Sequence, residues 1–258
     1  MGRVIAISNQ KGGVGKTTTA INLAASLAIA NRNILLVDID PQGNATSGLG
    51  INREGLKEGV YEVLLNGFPL PQILQHTEIS SLLVAPATIN LVGAEIELVD
   101  FPQREGALKQ ALEDFKEGYD FIIIDCPPSL SLLTLNALTA ADSVIVPVQC
   151  EYYAMEGLGQ LLKTIKLIQQ SFNPDLKVEG ILLTMFDGRT SLSHQVLQEV
   201  RGNVHQRVFE TIIPRNVTLA EAPSHGRPVL LYDIGSRGAQ IYLELAKELV
   251  SYAKETVG

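Results

Sequence analysis

The chain has 258 residues, of which 46% are hydrophobic, and a formal net charge of −8. This length and apolar content suffice for one α/β domain with a buried core, so we expect residues 1–258 to form a single domain. The acidic balance argues against nucleic-acid binding by the surface as a whole, and any such contact must come from a local patch. No apolar run approaches the roughly 18 residues that a membrane-spanning helix needs.

The ends of the chain and its cysteines indicate a cytoplasmic protein. A strand is predicted within the first four residues, which leaves no room for a signal peptide. Cys126 and Cys150 lack the C-x-x-C spacing and are typical of reduced thiols. The longest break in the pattern, roughly residues 51–80, is too short for a second domain.

Short apolar runs alternate with helical patterns along the chain. The predicted strands are Val4–Ile7, Ile34–Val37, Leu82–Ala85, Phe121–Ile124, Val144–Val148, Gly180–Leu183 and a weaker Val208–Ile213. The predicted helices are Lys16–Ala30, Gly106–Phe115, Ser131–Ala140, Glu156–Ser171, Ser193–Val200 and Gly235–Lys254. This alternation predicts a doubly wound, mostly parallel sheet with helices on both faces, in which ligands bind beyond the carboxyl ends of the strands.

Residues 11–18, Lys-Gly-Gly-Val-Gly-Lys-Thr-Thr, follow the first predicted strand and match the phosphate-binding loop of a P-loop NTPase. The loop glycines, which lack a Cβ atom, are Gly12, Gly13 and Gly15. Their backbone N–H groups can turn towards phosphate oxygens. Lys16 would neutralise the phosphates, and Thr17 would offer its hydroxyl to Mg²⁺. We therefore expect this loop and the helix after it to bind a nucleotide.

The loop departs from the usual pattern at its start. Gln10 stands six positions before Lys16, where the pattern has glycine, and Lys11 follows it. Lys11 cannot easily reach phosphates that its own loop surrounds, but it is well placed to reach a nucleotide held by a facing subunit. The alternative is an unrelated lysine on a loop.

Two predicted strands end in aspartate, at Asp38 and Asp125. A buried carboxylate is costly unless it meets a cation or hydrogen-bond donors. Asp125 follows an apolar strand in the Walker B manner, and we assign it to Mg²⁺ through bound water. A turn or helix cap before Pro127 is the alternative. Asp40 lies two residues after Asp38 and on a strand would face the same side.

The loop at residues 11–18 resembles the deviant Walker A motif of the ParA/MinD ATPases. The resemblance covers the whole chain, because segments 38–47, 125–130, 151–157 and 213–216 follow in the family's order. The pattern is most like that of the chromosomal Soj-type ParA proteins. In this family the early lysine, here Lys11, crosses a nucleotide-sandwich dimer to contact the partner's phosphates.

The resemblance implies a role for each site residue. The implied phosphate-loop contacts of ATP are Lys11, Gly12, Gly13, Val14, Gly15, Lys16, Thr17 and Thr18. Thr17, Asp38 and Asp125 would form the Mg²⁺ site. Asp40 would orient or activate the attacking water, with Lys11 and Lys16 as the other catalytic residues; a purely structural turn at Asp40 is the alternative. Because Lys11 would act from the partner, we expect slow hydrolysis by the monomer.

Residues 213–216, Ile-Pro-Arg-Asn, resemble the adenine-contacting loop of the family. Pro214 would contact the base through its backbone and Asn216 through its side chain, although a plain strand-to-helix turn would have the same sequence. Thr184 stands where relatives often have asparagine against the base. The base contact on that side is therefore open.

Between residues 185 and 240, six arginines stand against five acids, a balance of +1. Residues 186–190 resemble the ParA loop whose arginine contacts DNA phosphates, which implies that Arg189 binds DNA. Such contacts would make binding sequence-independent and salt-sensitive. A solvated surface is the alternative interpretation.

The implied function is ATP-dependent chromosome or plasmid partition by a nucleoid-associated ATPase. ATP would close a homodimer that binds non-specific double-stranded DNA, and a ParB-type partner would stimulate hydrolysis and release the dimer. A ParA-like ATPase that positions a protein cargo would carry the same motifs.

Three further classes share the loop or the fold and fit less well. In a MinD-like ATPase the tail, here residues 245–258, binds lipid; its two lysines and two glutamates do not favour membrane attachment. Two cysteines 24 residues apart are poor iron–sulfur ligands. A ligase such as dethiobiotin synthetase needs a substrate motif, and we find none.

Overall fold

A seven-stranded sheet forms the centre of the protein, in a computed structural model that describes residues 2–255. The strand order is β3-β4-β2-β5-β1-β6-β7, and neighbouring strands are parallel except for the antiparallel pair β3 and β4. The strands are β1 (Arg3–Ile7), β2 (Ile34–Asp38), β3 (Gln75–His76), β4 (Leu82–Ala85), β5 (Phe121–Asp125), β6 (Ser143–Gln149) and β7 (Lys177–Thr184).

Helices cover both faces of this sheet. They are α1 (Lys16–Ile29), α2 (Asn44–Gly48), α3 (Val60–Asn66), α4 (Leu70–Ile73), α5 (Leu91–Glu97), α6 (Ala107–Glu113), α7 (Leu132–Ala140), α8 (Ala154–Ser171), α9 (Ser191–Asn203), α10 (Val217–Glu221), α11 (Val229–Tyr232) and α12 (Arg237–Glu255). Short 3₁₀ turns lie at Arg53–Gly55, Leu98–Asp100, Lys116–Gly118 and Ala222–His225. The predicted doubly wound architecture is confirmed.

Successive residues of the central strands face opposite sides of the sheet, and this explains why their sequences are continuously apolar. On β5, Ile122 and Ile124 belong to one buried cluster, whereas Ile123 belongs to the cluster on the opposite face. The first cluster includes residues of α3, α5, α6, α7, α8 and α9, and the second includes residues of α1, α11 and α12. Because both faces are covered, the inner residues of β2 and β5 are apolar, and the polar residue of each comes at its carboxyl end.

The six stronger predicted strands and all six predicted helices are present, with ends that differ by a few residues. The sequence pattern missed the shorter elements, which are too brief to show a period. Residues 51–80, interpreted as a break, contain α3, α4 and β3. Their apolar side chains join the same cluster as β2 and β5, as Val60 and Leu70 illustrate.

The weaker predicted strand Val208–Ile213 was wrong. Isolated bridges, and no continuous ladder, join this segment to β7 and Phe186. The Phe209 N–H donates to the Ile181 carbonyl, and the Ile213 N–H donates to the Leu183 carbonyl. Between these bonds, the backbone N–H groups of Glu210 and Thr211 donate to the Glu248 carboxylate, each at 2.9 Å. A side chain of α12 thus takes the donors that a strand would need.

Within residues 2–255, we find no helix that has both the length and the apolar composition to cross a membrane. The tail discussed above, residues 245–258, forms the end of α12 as far as Glu255. Residues 256–258 of that tail lie outside the described residues.

Candidate nucleotide-binding site

The carboxyl ends of β1, β2 and β5 meet at one edge of the sheet. In the strand register, Asp125 at the end of β5 lies between Ile7 of β1 and Asp38 of β2. The loop after β1 begins at the same edge and leads directly into α1. The fold therefore brings the predicted phosphate loop and the two predicted acidic strand ends together, at the edge where doubly wound sheets bind ligands.

The backbone of the loop has the conformation that its glycines permit. Gly13 and Gly15 have φ values of 75° and 88°, in the left-handed region that other residues rarely adopt. Val14 is buried, and its carbonyl accepts a hydrogen bond from the Thr184 hydroxyl at 2.9 Å. The threonine that departs from the family pattern thus supports the loop, a contact that sequence reasoning missed.

Lys16 is held within this loop. Its ammonium group donates to the carbonyl oxygen of Lys11 at 3.1 Å and is largely buried. Burial lowers the pKa of Lys16, and the charges of Asp125 and Asp40 oppose that shift. Lys16 therefore lies at the same edge as the acidic strand ends, as a phosphate-binding lysine requires.

The two strand-end aspartates have different surroundings. Asp38 is fully engaged: Thr46 donates to its Oδ2 from both N–H and hydroxyl, at 2.8 and 2.7 Å, and Asp40 N–H donates to its Oδ1 at 3.2 Å. Both oxygens of Asp125 are buried, and no hydrogen bond of normal geometry reaches them among the described residues, although the Thr17 hydroxyl is near enough to oppose the rise in the pKa of Asp125. Burial raises the pKa of Asp38 to about 6, and burial with the charge of Asp38 raises the pKa of Asp125 well above its usual range.

A loop of residues 40–43 follows Asp38, and Arg53 fixes it. The Arg53 guanidinium donates to the carbonyl oxygens of Pro41, at 3.0 Å, and of Gln42. It also donates to Ala87, at 3.0 Å, and so ties this loop to the segment after β4. Gly43 makes space for this guanidinium, because a Cβ atom on residue 43 would lie 2.2 Å from Arg53 Cζ. No motif predicted this arginine.

Lys11 lies at the exposed rim of the site. Its ammonium group forms an ion pair with Glu151, which follows β6, and its side chain is partly exposed. The neighbouring Tyr152 and Tyr153 are exposed, as is Leu130 in the loop after β5. The Lys11 ammonium group is therefore held by an acid from another segment of the chain.

A cavity of 270 Å³ lies beside the loop. It is lined by Gly15, Thr18, Thr184, Met185, Ile213, Pro214, Arg215, Asn216, Leu219, Ala220 and Tyr242. Asn216 caps α10, because its Oδ1 accepts from Leu219 N–H at 3.1 Å. Asn216 also lines the cavity. The structure thus brings both predicted adenine-contacting residues to a cavity that adjoins the phosphate loop.

Comparison with known proteins agrees with this geometry. A family model described as an AAA domain matches residues 2–178. The chain is 62% identical to the chromosome partitioning protein ParA of Myxococcus xanthus, over 97% of this chain and 88% of that protein. It is 59% identical to the sporulation initiation inhibitor protein Soj of Bacillus subtilis, over 97% and 99%.

The chain belongs to the ParA/MinD family of deviant Walker A ATPases. The match to the Soj protein of Bacillus subtilis spans nearly the whole chain. A solved structure of cobyrinic acid a,c-diamide synthase from Mycobacterium smegmatis, with bound ADP and magnesium, is 44% identical and has a TM-score of 0.87. It covers 98% of this chain, and the alignment spans 96% of that one.

For a deviant Walker A ATPase of this type, the surroundings of Arg189 are informative. The side chain is 87% exposed, yet it forms a two-bond pair with Asp187, at 2.8 and 2.7 Å. Arg189 therefore holds the pKa of Asp187 far below its usual range. Three other arginines of this segment pair with acids: Arg201 with Glu210, Arg207 with Glu248 and Arg227 with Glu78.

Proposed function

We propose that this chain is a partition ATPase of the cytoplasm, associated with the nucleoid. Its ATP-bound homodimer binds double-stranded DNA without reading sequence, and a ParB-type partner stimulates hydrolysis and releases the dimer. The family membership supports a partition ATPase, and the position of Lys11 carries the finer proposal. ATP and Mg²⁺ are the cofactors: relatives at 44% and 43% identity were solved with ADP or an ATP analogue and magnesium.

The site fits a magnesium ion. Two buried carboxylate oxygens of Asp125 without partners are costly unless a cation is close, and hard oxygen ligands are those that Mg²⁺ prefers. Asp125 and the Thr17 hydroxyl would hold the ion. Asp38 is engaged with Thr46, so we assign it to support of the site. When bound, Mg²⁺ neutralises charge on the phosphate oxygens.

Asp40 is the residue that we assign to the attacking water. It is nearly buried, and its Oδ1 accepts from Gln42 N–H at 2.9 Å, so the carboxylate has a fixed direction. A carboxylate in this position orients a water molecule and accepts its proton. Arg53 restrains the loop that carries Asp40, and such restraint supports a transfer that depends mostly on positioning.

The position of Lys11 is an argument for the proposed ATP-bound homodimer. A cation at the rim, among the exposed side chains of Leu130, Tyr152 and Tyr153, is suited to a facing subunit, because the apolar groups lose contact with water on association. Lys11 would exchange Glu151 for the partner's phosphates. Its charge would then stabilise the transition state only in the dimer.

Arg189 would contact DNA by a similar exchange. Its guanidinium is exposed on one side while Asp187 neutralises it, and a phosphate would compete with that carboxylate. Contacts of this kind neutralise the backbone and carry no base reading. Two copies of the segment in a dimer would add their contacts.

The direct experiment measures binding to duplexes of unrelated sequence without nucleotide, with ADP, and with ATP and Mg²⁺, at low and high salt. We expect binding with ATP only, equal for all sequences and weaker in high salt. Lys11→Ala should bind ATP as a monomer and lose DNA, while the matched control Lys166→Ala, an exposed lysine of α8, should behave as wild type. DNA binding by monomeric Lys11→Ala would contradict the proposal.

The 44% identity to a protein named a diamide synthase favours a second candidate, an amide-forming ligase. Such an enzyme consumes ATP only when its acid substrate is present. ATP hydrolysis that DNA and a ParB-type protein accelerate, but cobyrinic acid does not, would exclude it.

A further inference from the structure

The start of the phosphate loop has an anchor that the usual loop pattern does not provide. Where that pattern has glycine, this chain has Gln10, whose side-chain amide donates to the Thr164 hydroxyl of α8 at 3.1 Å. A glycine has no side chain with which to make this contact. The helix α8 packs on one face of the sheet and α1 on the other. The departure from the pattern therefore connects the loop to a helix on the face opposite the one that it leads into.

A side chain of Asn9 takes over from the backbone where the loop leaves the sheet. The Ser8 N–H extends the ladder between β1 and β6 by donating to the Ile145 carbonyl at 3.1 Å. In a parallel ladder the next acceptor on β6 is the carbonyl of Pro147, two residues further on. The side-chain amide of Asn9, which is buried, donates to that carbonyl at 2.7 Å. The chain can therefore turn away from β6 here without leaving this buried acceptor unpaired.

The same Asn9 side chain fixes the backbone of Lys11. Its Oδ1 accepts from the Lys11 N–H at 3.0 Å, and the Lys11 carbonyl accepts from the Lys16 ammonium group at 3.1 Å. The ammonium group of Lys11 is paired with Glu151, two residues after the end of β6. Residue 11 is thus held through its N–H, its carbonyl and its side chain.

Residues 9, 10 and 11 all contact one stretch of the chain, residues 147–164. This stretch includes the carboxyl end of β6, the exposed Tyr152 and Tyr153 and the first part of α8. A lysine side chain is a point charge on a flexible four-carbon stem, so the position of its backbone limits where the charge can reach. A misplacement of about 1 Å can cost about 100-fold in rate. The contacts that hold the backbone of residue 11 therefore affect how well its charge can serve a facing subunit.

We propose that Gln10 and Asn9 are positioning residues, which hold Lys11 on the β6–α8 segment in place for contact with the nucleotide of a facing subunit. The departure of this loop from the usual pattern then has two parts: Lys11 supplies the charge, and Gln10 anchors it to Thr164. The contact of Lys11 with a facing subunit rests on the proposed function, whereas the anchoring can be measured without it.

The first test measures the dimer by sedimentation with a non-hydrolysable ATP analogue and Mg²⁺. Thr164→Val removes the hydroxyl but keeps the shape of the side chain, and Gln10→Ala removes the amide. Each should raise the dimer dissociation constant about fivefold, the usual contribution of one hydrogen bond. The affinity for the analogue, measured at protein concentrations too low for dimers, should stay within about twofold. Thr164→Ser retains the hydroxyl and should dimerise as the wild type does.

The double variant shows whether Gln10 and Thr164 act through one bond. Because it loses the same single hydrogen bond, its dimer constant should equal that of either single variant. Losses that multiply to about 25-fold would overturn the anchoring, because the two side chains would then act independently. An equal loss in Thr164→Ser, or a loss of analogue affinity as large as the loss of the dimer, would also overturn it.

The second test needs no dimer. Exchange of the Lys11 amide hydrogen, followed by NMR in the nucleotide-free protein, reports its hydrogen bond to Asn9. We expect exchange about fivefold faster or more in Asn9→Ala and in Thr164→Val. The control is the amide of Asn31, which donates to the Ala28 carbonyl in the turn after α1 and should be unaffected. Unchanged exchange at Lys11, or an equal rise at Asn31, would overturn the anchoring.

The two tests separate this inference from the proposed function. A wild type that forms no ATP-dependent dimer, but whose Lys11 amide depends on Asn9 and Thr164, would refute the proposed function alone. A wild type that dimerises equally well with and without the Thr164 hydroxyl would refute this inference alone.

Discussion

Two flanks of the same sheet differ in charge. Residues 58–103, which include the edge strands β3 and β4, have six carboxylates and no lysine or arginine. Residues 185–240 begin after β7 at the opposite edge and have six arginines against five acids, although Arg227 reaches back to pair with Glu78. The difference shows that a net charge of −8 describes neither flank.

Both flanks are connected to the nucleotide site, but through different contacts. The arginine-rich flank contributes Pro214 and Asn216 to the cavity beside the loop. The acidic flank is connected through Ala87, which is hydrogen-bonded to Thr46 and Arg53. Both flanks therefore contribute contacts close to the phosphate loop or to the loop that carries Asp40.

The largest expected effect is a loss of ATP hydrolysis that leaves DNA binding by the arginine-rich flank intact. Asp40→Ala should lower the hydrolysis rate about 100-fold or more, the usual worth of a positioned acid–base group. The variant should retain ATP and accumulate as a dimer that binds DNA, because the arginine flank is intact. Rates from phosphate release and mass from sedimentation check this; a variant that hydrolyses normally would refute the role of Asp40.

The next prediction concerns the arginine flank alone. Arg189→Gln should weaken DNA binding of the ATP-bound dimer equally for all sequences and lower the salt slope by about 1.8, for two lost contacts per dimer. The matched control, Arg227→Gln, removes an arginine of the same flank that is paired with Glu78. An unchanged slope for Arg189→Gln, or an equal loss in both variants, would place the DNA contact elsewhere.

A third prediction tests whether Arg53 positions the loop that carries Asp40. Gly43→Ala should displace Arg53, because Gly43 has a φ of 63° and a Cβ would overlap the guanidinium. We expect kcat to fall about tenfold, with little change in KM for ATP, since the loop of Asp40 loses its position. Destabilisation should be about 1–3 kcal/mol in denaturant unfolding.

The control for this prediction is Gly67→Ala. Gly67 has a nearly equal φ of 62° but has open space where a Cβ would be. It should show the backbone cost of about 1 kcal/mol without any change in kcat. If both variants lost the same activity, Arg53 would have no positioning role.

The smallest expected effect concerns Glu248, whose carboxylate accepts hydrogen bonds from the backbone of the arginine-rich flank. Burial pulls the pKa of Glu248 upward, but hydrogen bonds from Thr211 and Glu210 and the charge of Arg207 outweigh it and lower the pKa. The stabilisation is therefore present above the unfolded pKa of about 4.3 and is lost as the pH falls through the folded pKa.

Accordingly, Glu248→Gln should lower the free energy of unfolding by about 1–2 kcal/mol at neutral pH. The difference from wild type should disappear in acid, in thermal or denaturant unfolding at several pH values. Glu244→Gln, an exposed glutamate of the same helix, is the control and should have little effect. A difference that persists unchanged in acid would exclude the carboxylate as its source.

The central part of the site could be predicted from the sequence because each of its segments carries a contiguous pattern of its own. The loop at residues 11–18 and the strand ends at Asp38 and Asp125 were placed at one edge from pattern alone, and the fold brings them there. Their assigned roles remain predictions. The contacts of Arg53 with Ala87, of Thr184 with Val14 and of Lys11 with Glu151 were missed, because each joins distant parts of the sequence.

By itself, the sequence determined the doubly wound sheet, the position of the phosphate loop after β1 and the family. Those features depend on periodicity and on contiguous residues. Only the tertiary structure decided that Asp38 is hydrogen-bonded whereas Asp125 is unpartnered among the described residues, and that the segment at 208–213 yields its backbone donors to Glu248. The physical reason is that burial and hydrogen-bond partners are set by packing between distant segments, which no local pattern records.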